Sequence, residues 1–417
     1  MMEPLPRSTY LQRIIERKHN GLVKVITGIR RCGKSYLLFN LFRQHLRDSG
    51  VPENHIIAIA LDDRANKALR DPDACYRYVR NLITDDGQYY VLLDEVQLMD
   101  EFEDVLNGFL HMSNVDTYVT GSNSHFLSTD IITEFRGRGD EIRVHPLSFT
   151  EYYAAVGGDW TDAWNDYMTF GGLPQILMQP NEAAKTNYLD RLITEIYLRD
   201  IIDHNRIRNE AGFNELVDIL ASGIGSLTNP TRLEHTFTSA AKLKLSQPTI
   251  VKFISYLEDA FLIEKAQRYD IKGRRHIGAL SKYYFEDVGL RNARLNFRQQ
   301  EETHIMENVI YNELRLRGYS VDVGIVDLPR TSKEHSPRRV EIDFVANLGS
   351  NRYYLQSAFA LPDADKREQE LRPLLNIGDS FRKIIVTGGN TKVSHDENGI
   401  TTMGLKQFLL DDNSLNL

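Results

Sequence analysis

Gly28-Ile29-Arg30-Arg31-Cys32-Gly33-Lys34-Ser35 carries the spacing G-x-x-x-x-G-K-S. Its glycines let the backbone curl until several N–H groups face one point, with the positive end of the next helix behind them. That is a cradle for a phosphate chain: the Lys34 ammonium reaches the β- and γ-phosphates, and the Ser35 hydroxyl ligates Mg²⁺. Ile29, Arg30, Arg31 and Cys32 supply the curled main chain, and Tyr36 follows on the helix. The competing reading is an ordinary glycine turn. The context weighs against it, because an apolar run lies directly before the motif and a helically spaced one after it.

Tyr89-Tyr90-Val91-Leu92-Leu93-Asp94-Glu95 is an apolar strand ending in two carboxylates. Carboxylates side by side at a buried strand end repel each other unless a cation shares the site. Asp94 is the candidate for the Mg²⁺ shell, and Glu95 for orienting and deprotonating a water. A further strand runs into Gly121-Ser122-Asn123-Ser124. Asn123, with Ser122, is the candidate sensor of a γ-phosphate; a helix cap by either residue is the competing reading. Arg136-Gly137-Arg138-Gly139 offers a guanidinium, Arg138, which from a neighbouring subunit would offset charge that develops in a transition state. Spacing alone does not separate that role from a surface salt bridge.

The elements that must position these residues alternate. Apolar runs over 22–27, 56–61, 89–93 and 116–120, with a shorter one over 142–145, read as strands. Residues 36–46 place Leu37, Leu38, Leu41, Phe42 and Leu46 at helical spacing, and a second helix carries Phe102, Val105, Leu106, Phe109 and Leu110. Strands separated by helices imply a mostly parallel sheet covered on both faces. After Pro146 the chain reads as helical to about residue 208, broken at Gly171-Gly172-Leu173-Pro174. More helices follow, then two strands over 263–269 and 277–285 joined by the basic turn Lys272-Gly273-Arg274-Arg275, a pattern like a winged helix. The remainder reads as α+β. This divides the chain into an α/β core over 1–150, a helical segment over 151–212, a winged-helix-like module over 213–300 and a final α+β domain over 301–417.

Composition narrows the function classes. The chain has 417 residues, of which 41% are hydrophobic and 26% charged, which excludes a wholly disordered or collagen-like chain. Fifty Lys and Arg against 58 Asp and Glu give a formal net charge of −8, which argues against a whole-surface grip on nucleic acid but not against a local basic patch. Two cysteines, Cys32 and Cys75, make neither a disulfide framework nor a four-thiolate zinc site and fit a reducing compartment. No leader pattern and no stretch near 20 apolar residues is present, so a cytoplasmic protein without a membrane span is expected.

Taken together, the phosphate-loop motif with Val25-Ile26-Thr27 before it, Leu93-Asp94-Glu95-Val96-Gln97, Thr120-Gly121-Ser122-Asn123, Gly137-Arg138 and Pro146-Leu147-Ser148-Phe149 resemble the prokaryotic AAA+ superfamily ATPases of the AAA_14/DUF4143 architecture. Gly171-Gly172-Leu173-Pro174 is similar to that family's GxP turn, which would place Pro174 near the adenine. Asp287-Val288-Gly289-Leu290-Arg291 and Glu307-Asn308 also match, so the resemblance spans nearly the whole chain. It implies an α/β P-loop NTPase of the additional-strand, AAA+ type, with the strand ending at Thr120 lying between those of the phosphate loop and Asp94. It further implies a helical lid, a winged-helix-like module and an α+β restriction-endonuclease-like C-terminal domain. Lys34 and Ser35 would be its phosphate-loop pair, Asp94 its magnesium carboxylate, Glu95 its base, Asn123 its sensor and Arg138 its finger, acting within a homo-oligomeric ring, often a hexamer. The implied activity is Mg²⁺-dependent hydrolysis of ATP to ADP and phosphate. A nucleotide-gated binding protein with very slow turnover is the alternative.

The last domain also poses a nuclease question. Glu341-Ile342-Asp343 puts two carboxylates on one face of a strand, and Glu307 could add a third ligand. A PD-(D/E)xK nuclease needs an acid-x-lysine on the next strand, where Gln356 and Ala358 stand instead. A neutral amide anchors Mg²⁺ poorly and an alanine does neither of lysine's jobs, so an ATP-driven nuclease is disfavoured, with Lys366 the substitute lysine to look for. Lys272, Arg274 and Arg275 are the candidate contacts to DNA phosphates, against the competing reading of a solvated hairpin tip.

Overall fold

The computed structural model describes residues 5–121, 137–241, 245–328 and 339–417. They form two compact units. The first takes in the chain through Leu147 with Leu173–Gln175 and Asp259–Phe261; the second comprises Ser148–Gly172, Ile176–Glu258 and Leu262–Leu417.

The first unit is built on five strands: β1 (Val23–Thr27), β2 (Ile56–Ala60), β3 (Tyr89–Asp94), β4 (Val115–Thr120) and β5 (Gly139–Arg143). They lie in the order β2-β3-β4-β1-β5 with every pairing parallel. β4 is thus inserted between β1 and β3, the additional-strand arrangement of AAA+ P-loop ATPases. All five residues of β1 and all six of β3 are buried, as a parallel sheet covered on both faces requires. Val25, Val91, Leu93 and Val119 pack with Leu106 and Phe109 of helix Phe102–Leu110 in one core. Within the sheet Lys24 is fully buried. It forms an ion pair with Asp116 and donates to Leu22 O at 2.8 Å, while the Tyr118 hydroxyl donates to the other Asp116 oxygen at 2.7 Å. A buried charge is tolerated only when satisfied in this way.

One boundary differs from the reading of the sequence. β5 lies over Gly139–Arg143 rather than 142–145. It is an edge strand, so its outward residues stay polar, and an apolar run marks only its last residues. Beyond it Val144 N still donates to Thr27 O at 2.8 Å.

The second unit holds helices and one mixed sheet. Its strands are β6 (Ile263–Asp270), β7 (Arg275–Phe285), β8 (Ser320–Asp327), β9 (Arg339–Leu348), β10 (Asn351–Ala358), β11 (Arg382–Thr387), β12 (Ser394–His395) and β13 (Ile400–Gly404). Their order is β12-β13-β11-β10-β9-β8-β6-β7. The basic hairpin β6–β7 is the end of this sheet, because β6 pairs in parallel with β8 through Arg268, Tyr269 and Asp270. The sheet therefore runs across residue 300. Helix Val288–Arg294, capped by Asp287, follows β7, and Gly289 is pressed so close to Phe170 that a Cβ would stand 2.1 Å from its carbonyl oxygen.

Candidate nucleotide site

The phosphate loop leaves the end of β1. Gly28 adopts φ 137°, and a Cβ there would stand 2.0 Å from Val144 O, so only glycine fits. Arg31 and Gly33 also have positive φ, 64° and 102°. Ile29 and Cys32 turn inward and are fully buried, Cys32 Sγ donating to Val144 O at 3.2 Å, so both offer a ligand main chain only. Arg30 and Arg31 are exposed. Helix Lys34–Tyr36 continues through a π-helical stretch, Leu37–Phe42, into Arg43–Asp48. Lys34 is buried, with its ammonium donating to Gly28 O at 2.9 Å and Ile29 O at 3.0 Å. Those are neutral acceptors, so its charge has no anion among these bonds.

Asp94 ends β3, beside β4 and the loop. Its carboxylate is buried and accepts a hydrogen bond from the Thr120 hydroxyl, and the Ser35 hydroxyl lies near enough to favour its charged form. Burial pushes its pKa above the usual carboxylate range; those two hydroxyls pull it back, and the charges of Glu95 and Asp62 add to the rise. Glu95 follows in the left-handed region at φ 53°, an uncommon conformation for a side chain of its size. Thr120 Oγ1 accepts from Glu95 N at 3.1 Å, and Gln97 Nε2 donates to the Glu95 carboxylate. The loop, Ser35, Asp94 and Glu95 therefore converge at the C-terminal ends of β1, β3 and β4.

Ser35 and Asp94 are hard oxygen donors, a set suited to Mg²⁺ beside a phosphate cradle. Pro174 lies 3.9 Å from the position of a Cβ on Gly33, so it neighbours the loop. Arg138 is elsewhere: its exposed guanidinium donates to Asn107 Oδ1 of its own chain at 3.1 Å. Asn123, Ser122 and Arg136 lie outside the described residues. Sequence reasoning passed over Thr120 and Gln97 as site residues. The signal for Thr120 was its place as the last residue of β4, opposite Ile26 of β1; Gln97 had none beyond nearness to Glu95. In the second unit Lys272, Arg274 and Arg275 are exposed at the β6–β7 turn, which Asp270 closes by accepting from Gly273 N at 2.9 Å. The Lys366 ammonium pairs with Glu370 on the same helix at 2.6 Å. Among the described residues no helix is long and apolar enough to cross a membrane.

Comparison with known proteins agrees with this geometry at the level of family. Residues 20–153 match the model of an AAA domain, and residues 161–301 match a domain of unknown function, DUF8612, rather than the DUF4143 that the resemblance implied. An uncharacterised protein of Haemophilus influenzae is 32% identical over 390 residues, covering 92% of this chain and 93% of its own. An uncharacterised protein of Methanocaldococcus jannaschii is 28% identical over 370 residues, covering 84% and 77%. Among solved structures, the Aeropyrum pernix ORC1 protein in complex with DNA is similar over 70% of this chain and 93% of its own, at 13% identity and a TM-score of 0.29. That score carries nothing about activity or partners.

The chain belongs to the family of the Haemophilus influenzae protein, and it carries the AAA domain on this P-loop NTPase fold.

Proposed function

We propose that this AAA-domain protein binds ATP with Mg²⁺ and hydrolyses it to ADP and phosphate, as a homo-oligomer. The observation that carries the reading is the convergence of Lys34, Ser35, Asp94 and Glu95 on one phosphate cradle, bridged by Thr120. Lys34 turns from the loop carbonyls to the β- and γ-phosphates, exchanging neutral acceptors for charged ones. Mg²⁺, held by Ser35 and by Asp94, supplies charge neutralisation at the phosphate oxygens. Glu95, steadied by Thr120 and Gln97, accepts a proton from water as its oxygen bonds to the γ-phosphorus. The bond from that phosphorus to the β–γ bridging oxygen breaks, and ADP leaves. Thr120 takes a positioning role at the strand end where Asn123 is also expected to act. Arg138 serves as a finger only across a subunit boundary, having left its Asn107 partner.

Calorimetry of the purified chain with ATP and Mg²⁺ tests the reading. Binding that Lys34→Ala weakens, with turnover that Glu95→Gln removes, is the expected result; no heat of association would overturn all of these roles together.

A further inference from the structure

The second unit buries a lysine that the nucleotide chemistry does not use. Lys282, on β7, has a side chain 4% exposed. Its Nζ lies 2.8 Å from Glu307 Oε1, 2.5 Å from Glu341 Oε1 and 3.4 Å from Asp343 Oδ1. Glu307 comes from helix Glu302–Leu316, whereas Glu341 and Asp343 are alternate residues on one face of β9. Neighbouring groups add hydrogen bonds to the cluster. The Tyr284 hydroxyl donates to Glu307 Oε1 at 2.6 Å, Ser357 N donates to Asp343 Oδ2 at 2.8 Å, and Gln356 Oε1 accepts from Asp343 N at 3.4 Å.

Glu307 and Asp343 are buried and Glu341 is partly so, and carboxylates gathered in that way need a cation. A hard divalent ion is one solution, with oxygens as ligands. An ammonium is another, since it has three N–H donors, and three carboxylate oxygens face this one. Lys282 lies among groups that a metal would otherwise have to gather. Among the described residues no three of His, Cys, Asp and Glu are grouped to hold a metal ion. A metal entering this cluster would displace the ammonium and leave it buried without a partner.

We propose that Lys282 is the resident cation of this carboxylate site, so that the site is complete without metal and works to tie helix Glu302–Leu316 to β7 and β9. The same helix is held to β7 beside it, where Asn308 accepts from Phe285 N at 2.7 Å and donates to Phe285 O at 2.8 Å. Lys282 takes the place of the metal as well as of the missing acid-x-lysine, which removes the means of phosphodiester cleavage rather than restoring it. This tie is independent of any ATP chemistry in the first unit.

Mn²⁺ titration of the full chain without nucleotide, followed by electron paramagnetic resonance and thermal melting, tests it; Mn²⁺ at Ser35 and Asp94 would be common to all variants. Wild type is expected to bind no Mn²⁺ that Glu307→Gln removes. Lys282→Ala is expected to melt earlier and to gain a Mn²⁺ site that wild type lacks, so that Mn²⁺ binding beyond the site common to all variants rises about tenfold or more. Mn²⁺ should raise its melting temperature, and adding Glu307→Gln should abolish the gain. Wild-type Mn²⁺ binding lost in Glu307→Gln would overturn the proposal, and this comparison needs no Lys282 variant to fold. So would a Lys282→Ala chain that melts like wild type and gains no Mn²⁺.

Discussion

Two buried lysines, one in each unit, have opposite surroundings. Lys34 in the first unit rests on two main-chain carbonyls, and Asp94 of that unit is held by the Thr120 hydroxyl. Lys282 in the second unit is locked onto three carboxylates. Neutral acceptors leave Lys34 with charge to give to an incoming anion, and a hydroxyl leaves Asp94 with charge to give to an incoming cation. Lys282 has already committed its charge within the fold. The difference teaches that a buried lysine is a binding device in one setting and a fastener in another, and that the partner atoms decide which.

Variants at the two sites should therefore fail differently. The largest expected effect is on turnover: Arg138→Ala should slow steady-state phosphate release about 10³-fold or more while subunits still associate, and an unchanged rate removes the finger in trans. Glu95→Gln should lower turnover by about 10²- to 10⁴-fold with ATP affinity retained, measured by calorimetry beside single-turnover hydrolysis. At the fastener, Lys282→Met should destabilise the second unit by about 3–5 kcal/mol in denaturant melts, because it strands buried carboxylates. If ATP binding fell while stability held, the contrast between the sites would be wrong. Lys34→Ala should do the reverse, weakening ATP about 10- to 100-fold with little change in melting temperature.

The smallest effect is a pH slope. Burial pushes the Glu307 carboxyl up to about 7 from 4.5, with Asp343 adding to the rise and Lys282 and Tyr284 opposing it; His304 Nδ1 stands 3.9 Å away. The folded chain then holds a proton that the unfolded chain has released between those two values, so stability should fall as pH rises through that window. Glu307→Gln should flatten the slope in melts taken across it. Asp287, pushed up to about 6 by burial, contributes a residual slope of the same sign.

Much of the first unit was legible because its signals are local. β1 and β3 are short apolar runs buried on both faces, and the loop that follows β1 is one continuous segment. β5 was misplaced because an edge strand keeps polar residues on its open side. The basic hairpin looked like a separate wing because its own turn is local, while its parallel partner β8 lies about fifty residues on, with helix Glu302–Leu316 between them. The carboxylates that the sequence offered as nuclease ligands meet at Lys282, a residue that the sequence reading did not single out. Lys366 precedes Glu370 by four residues and pairs with it, the ordinary outcome on a helix. Lys282 lies 25 residues before Glu307 and 61 before Asp343, so only tertiary packing brings them together.

The amino-acid order by itself determined the glycine-rich loop after β1 and the carboxylates at the end of β3, because curled backbone, helix end and strand end are set within a few residues of one another. Tertiary structure decided why Gly28 tolerates no side chain, which strand-end hydroxyl holds Asp94, and which lysine satisfies the acids of the second sheet. Those depend on Val144, Thr120 and Lys282 arriving from distant parts of the chain, and no local propensity encodes the register that delivers them.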